Sequence, residues 1–104
     1  MAGGGWSVAL ARSGGFAGMT LRAEVSEDEL APGEAAEWGR LVEQLDATPS
    51  AGRGPSRPGR PDSFEYDFTV RRGGRARHVV LGEGDLTPAA RELADRLMQR
   101  LRRR

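Results

Sequence analysis

Residues 64–70 read FEYDFTV, and this stretch decides the fold. Large apolar side chains alternate strictly with polar ones along it, and such alternation predicts a half-buried β-strand. Gly73 and Gly74 then separate this segment from the returning segment RHVVL, residues 77–81. Adjacent glycines can adopt the positive φ values of a tight turn, so we expect a β-hairpin over residues 63–81. The apolar positions of its first strand are Phe64, Tyr66, Phe68 and Val70.

A second pair of alternating segments lies near the N-terminus. They are WSVALAR, residues 6–12, and MTLRAEV, residues 19–25, and they flank the stretch RSGGFAG, residues 12–18. We call residues 12–18 the glycine-rich segment. Two alternating runs around a glycine-containing connection predict a β-hairpin, here over residues 5–25, with a loop longer than a two-residue turn.

Two further segments carry apolar side chains at helical spacing. In the first, Pro32 suits the first turn of a helix and predicts a helix over residues 32–47. In the second, Thr87 is a suitable N-cap and Pro88 a suitable first residue of a helix over residues 87–103. The stripe of the first helix is Trp38, Leu41, Val42 and Leu45. The stripe of the second is Ala90, Leu93, Ala94, Leu97, Met98 and Leu101.

The order of these elements predicts the fold class. Two hairpins and two one-sided helices follow each other as ββαββα, which favours an α+β domain with a four-stranded antiparallel sheet and both helices packed on one face. Residues 49–61 contain only Pro, Ser, Ala, Gly and Arg, so they cannot pack a core, and we expect a flexible loop there. A chain of 104 residues is long enough for one domain, residues 1–104.

Composition excludes several functional classes. The chain has no cysteine and one histidine, so it cannot form a zinc site of the Cys/His type or a thiolate nucleophile, and no cofactor is expected. No apolar run approaches the length of about 18 residues that a membrane span needs. The N-terminus lacks the basic start and long apolar stretch of a secretory signal, so we expect a cytoplasmic protein.

Charged residues point to no catalytic site. His78 has no nucleophile motif nearby and is interpreted as a structural or solvent-facing residue. The carboxylates of Ser26–Glu29 are interpreted as the solvated entry to a helix. Arginines cluster near residues 71–77 and at the C-terminus, but basic and acidic residues number 16 and 15, which argues against nucleic acid as a partner. We therefore expect a protein that is not an enzyme.

The glycine-rich segment raises a separate question, because it places Phe16 among three glycines and an alanine. Phe16 could fold back and cover one end of the core. It could also protrude as an aromatic anchor, since glycines allow a close approach of the backbone to a partner, and such anchors dominate many protein interfaces. The composition of the segment leaves both alternatives open.

RSGGFAGM near the start, PDSFEYDFTV at residues 61–70 and the closing amphipathic helix together resemble the emfourin family of small bacterial proteins. The resemblance covers about residues 6–101. It implies a single emfourin-like domain and an inhibitor of protealysin-type, thermolysin-like zinc metallopeptidases. The prototype of the family accompanies a protease gene of this kind.

From the apolar pocket beside the zinc ion of such a protease we form a hypothesis about where this partner would bind. Phe16 or Met19 would enter the apolar pocket beside the scissile bond, while Arg12 or Arg22 would pair with acidic groups on the rim of the cleft. A monomer without a membrane partner is expected. Two alternatives stay open, an arginine-rich nucleic-acid-associated domain and a protein-interaction module that does not inhibit. The predicted partner-binding residues are Arg12, Ser13, Gly14, Gly15, Phe16, Ala17, Gly18, Met19 and Arg22.

Overall fold

The computed structural model describes residues 5–14, 19–49 and 64–103. Two short 3-10 turns, Glu27–Glu29 and Glu83–Asp85, precede the helices. The element order ββαββα and the α+β class are as predicted. The part of the predicted flexible loop from residue 50 onward lies outside the described residues. The strands are β1 (Trp6–Gly14), β2 (Met19–Ser26), β3 (Phe64–Arg72) and β4 (Arg75–Gly82), and the helices are α1 (Pro32–Asp46) and α2 (Pro88–Arg102).

The four strands form one antiparallel sheet in the order β2-β1-β3-β4. Each hairpin keeps its own strands adjacent, and the two hairpins join where β1 pairs with β3. Leu10 on β1 therefore lies opposite Ala23 on β2 and opposite Phe68 on β3. This arrangement makes β1 and β3 the central strands and leaves β2 and β4 at the edges.

The turn of the second hairpin follows from its two glycines. Gly73 has φ 54° and Gly74 has φ 86°, the left-handed backbone conformation that the sequence predicted for this pair. Two consecutive positive φ values match the right-handed twist of the flanking strands, so Arg72 and Arg75 pair directly across the turn.

The core lies between the helices and one face of the sheet. The alternating apolar residues of the strands point to this face, and both helices place their apolar stripes against it, which confirms the predicted packing. One residue of the predicted stripe on α2 does not take part: Leu101, in the last turn of the helix, is 36% exposed. The most deeply buried large side chains are Phe68, Leu10, Leu45, Leu93 and Leu97.

Polar interactions at the surface cap the start of α2 and add to its packing against α1. Thr87 is the N-cap, as predicted, and its hydroxyl accepts a hydrogen bond from the Ala90 N–H at 3.1 Å. Arg96 donates to Glu92 at 2.9 Å, and its guanidinium lies 5.8 Å from the centre of the Trp38 ring on α1. The hydrogen bond to Glu92 raises the pKa of Arg96 above its ordinary value. No helix in the described ranges is long and apolar enough to span a membrane.

Candidate functional site at the end of the first hairpin

The predicted partner-binding residues that the structure describes lie on the first hairpin. Arg12, Ser13 and Gly14 are the last residues of β1, and Arg22 is near the middle of β2. Gly15, Phe16, Ala17 and Gly18 lie outside the described residues, and Met19 is described only as the first residue of β2. The question of whether Phe16 is buried or protrudes therefore stays a prediction.

Gly14 is the point at which the chain leaves the sheet. It pairs with Met19 on β2 and with Phe64 on β3, so three strands define its position. Its φ of 109° lies in a region that residues with a Cβ rarely adopt. The glycine-rich segment thus begins from a fixed backbone at the end of a three-stranded platform.

Arg12 lies on the core face of the sheet, where β1 extends past its buried apolar residues. Its partners across the strands are Leu21 and Tyr66. Its guanidinium carbon lies 4.5 Å from the centre of the Phe64 ring, a cation–π distance. Its Nε is buried without a hydrogen-bond partner, and no ion pair to Arg12 is seen within the described ranges. Arg12 is therefore a guanidinium held in place by an aromatic ring.

Arg22 occupies the opposite face of the sheet. It is exposed and lies across from Ala11, whose small side chain leaves it uncovered. Ser13 also lies on this face, between Thr20 and Glu65. Arg12 and Arg22 therefore cannot contact the same point on a partner, although the sequence alone offered them as equivalent choices.

Phe64 and Tyr66 belong to this site although the sequence analysis did not assign them to it. The pairing of β1 with β3 brings them beside Gly14 and Arg12. The alternation in FEYDFTV showed that both rings face the core, but it did not show which strand lies next to β1. Assigning Phe64 and Tyr66 to the site requires the order of the strands in the sheet, which the alternation does not specify.

A family model named Emfourin matches residues 10–98. The chain belongs to the Emfourin family. The match begins within β1, includes the glycine-rich segment and ends within α2. No curated protein and no solved structure matched the chain. Emfourin membership implies a metallopeptidase-inhibitor-like role and is consistent with a protein that is not an enzyme.

The arginines of the second hairpin have a structural role in this Emfourin domain. Three of them converge on Asp46 at the end of α1, with nitrogen–oxygen distances of 2.9 Å from Arg72, 3.7 Å from Arg75 and 3.8 Å from Arg77. Arg77 also donates to the backbone carbonyls of Asp46 and Thr48. The last carbonyls of a helix lack partners within it and carry negative partial charge, so the cluster stabilises the end of α1. Three of the four arginines at residues 71–77 therefore have a structural role that does not involve nucleic acid.

Asp46→Ala is expected to lower the free energy of unfolding by about 2 kcal/mol, because it removes a charged acceptor shared by three arginines. Urea denaturation would measure the loss. Glu43→Ala, on the exposed side of the same helix, is the matched control and should change stability by less than about 0.5 kcal/mol. Equal losses in the two variants would contradict the structural role of the cluster.

Some of the other polar groups of the Emfourin domain form pairs at its surface. His78 Nδ1 lies 3.2 Å from an Asp67 carboxylate oxygen, and the histidine side chain is 66% exposed, as predicted for a solvent-facing residue. In the acidic stretch, Glu29 pairs with Arg100 of α2 at 3.1 Å. Among the described residues, no group of three or more potential metal ligands is placed to hold an ion.

Proposed function

We propose that this protein inhibits a thermolysin- or protealysin-like zinc metallopeptidase by placing the glycine-rich segment in the active-site cleft. The observation that carries the proposal is the Emfourin match over residues 10–98, which includes this segment. In the proposed complex, Phe16 or Met19 occupies the apolar pocket beside the scissile bond. The inhibitor acts in the cytoplasm, before the protease is secreted.

The platform at the end of the first hairpin supports this mode of binding. The backbone is held by strand pairing at Gly14 and again at Met19, so these ends of the segment need no further ordering when the complex forms. Less ordering means a smaller entropic cost and therefore a tighter complex.

Arg12 supplies the polar contact in the proposed complex. Its position over Phe64 fixes the guanidinium, and its terminal amino groups can donate to a carboxylate on the rim of the cleft. Arg22 lies on the other face of the sheet, so Arg12 is the rim contact in this proposal. A protease–inhibitor interface usually buries about 800 Å² on each partner, so the sheet end beside the segment must also contribute.

Titration of the purified protein into a thermolysin-like protease tests the proposal. We expect stoichiometric loss of peptidase activity and no effect on trypsin, a serine protease used as the control. Binding without loss of activity would instead identify an interaction module that does not inhibit. Absence of both binding and inhibition across several thermolysin relatives would overturn the proposal.

A further inference from the structure

The outer edge of β2 carries peptide groups that pair with no other strand of the described sheet. The Gly73 N–H donates to the Gly5 carbonyl. In the pairing of β1 with β3, the odd-numbered residues of each strand therefore direct their N–H and C=O groups towards the other strand. The direction of the N–H and C=O groups alternates along a strand, so the even-numbered residues of β1 direct theirs towards β2. The residues of β2 that lie opposite them are odd-numbered. The even-numbered residues of β2 therefore direct their N–H and C=O groups away from the sheet. They are Thr20, Arg22, Glu24 and Ser26.

An open edge of this kind is a template for another strand, and proteins often protect it with charges. Arg22 and Glu24 carry opposite charges on the same face of β2. Both are exposed, and they lie across from Ala11 and Ala9, which cannot pair with them. Neither forms an ion pair within the described part of the chain. Their charges are therefore available to an added strand.

We propose that the occupant of this edge is β2 of a second copy, paired antiparallel about a two-fold axis through Ala23. When two copies of β2 pair, the residues whose N–H and C=O groups point outward must lie opposite each other. Only a few two-fold symmetric registers meet this condition. Centring on Arg22 or on Glu24 would oppose like charges. Centring on Ala23 places Arg22 opposite Glu24 of the partner subunit twice, and opposite charges across strands are favourable.

The side chains at the axis fit this register. Ala23 would face its own copy at a position where strands approach closely, and its small side chain allows the approach. A groove that extends from the outer face of the sheet to β2 includes Ala23, Glu24, Arg100 and Leu101 in its lining. Leu101 is the exposed large apolar residue of the described chain, and pairing would bring the ends of both α2 helices together and cover it. This contact is needed because a strand edge alone provides less than the roughly 1,200 Å² of a stable interface.

The dimer replaces the monomer expected from the sequence and does not depend on the inhibitory function. Antiparallel pairing places the start of one β2 beside the end of the other. The two glycine-rich segments therefore lie at opposite ends of the paired strands, and each remains accessible to its own partner.

Sedimentation equilibrium of the full chain from micromolar to millimolar concentration tests the inference. We expect the wild-type protein to dimerise and Arg22→Glu or Glu24→Arg alone to raise the dissociation constant by at least about tenfold, because each creates two like-charge pairs. An equimolar mixture of the two variants should associate as the wild type does, since every cross-strand pair is then oppositely charged. The double variant R22E/E24R should also dimerise.

Arg71→Glu, a charge reversal on the central strand β3, is the matched control and should leave the dimer intact. Circular dichroism of each variant checks that the fold is unchanged. A wild-type protein that stays monomeric over the whole range would overturn the proposal. So would a dimer that R22E leaves unaffected, or single variants that fail to associate when mixed.

Discussion

Phe16→Ala is expected to weaken inhibition of a thermolysin-like protease by at least about tenfold, because it removes the aromatic anchor from the proposed interface. A buried aromatic anchor commonly accounts for about 2 kcal/mol or more of binding free energy. Unfolding stability should stay near that of the wild-type protein, since in the proposed complex Phe16 contacts the partner and not the core. Inhibition constants and urea denaturation of the same preparations measure the two effects.

Phe16→Leu separates the loss of an apolar anchor from a general disturbance of the segment. It keeps a large apolar side chain, so most of the inhibition should remain. Arg71→Ala, on an exposed position of the second hairpin, should leave inhibition unchanged. If Phe16→Ala unfolds the protein, the ring belongs to the core and the anchor hypothesis is wrong. If it inhibits as well as the wild type, another residue carries the contact.

Phe68→Ala is expected to lower the free energy of unfolding by about 3–5 kcal/mol, because it leaves a cavity at the centre of the sheet. Phe68 is 0% exposed and lies between Leu10 on β1 and Val79 on β4, where both hairpins and the helices meet. Small domains have total stabilities of about 5–15 kcal/mol, so the variant should be partly unfolded at moderate urea concentrations. Denaturation monitored by tryptophan fluorescence would show this.

Thr69→Ala is the matched control for Phe68→Ala. It lies next along β3 but faces the other side of the sheet, so it removes no core contact. Its expected effect is below about 1 kcal/mol. A comparable loss in the two variants would mean that the core is not centred on Phe68.

Part of the candidate site could be predicted from the sequence. The glycine-rich segment, the resemblance to emfourins and the outward position of Arg22 all follow from short runs of residues. The environment of Arg12 could not be predicted from the sequence, because its contact with Phe64 requires β1 and β3 to be neighbours. The arginines near residues 71–77 looked like a surface patch, and their convergence on Asp46 depends on where α1 ends above the sheet.

The sequence by itself determined the two hairpins, the two amphipathic helices, the glycine turn at Gly73–Gly74 and the N-cap at Thr87. Each of these depends on residues close together in the chain, whose side-chain spacing and backbone preferences act locally. Only the tertiary structure decided the strand order β2-β1-β3-β4, the stacking of Arg12 on Phe64 and the exposure of Leu101. These features arise from contacts between distant segments, and alternation along one strand does not specify which other strand lies beside it.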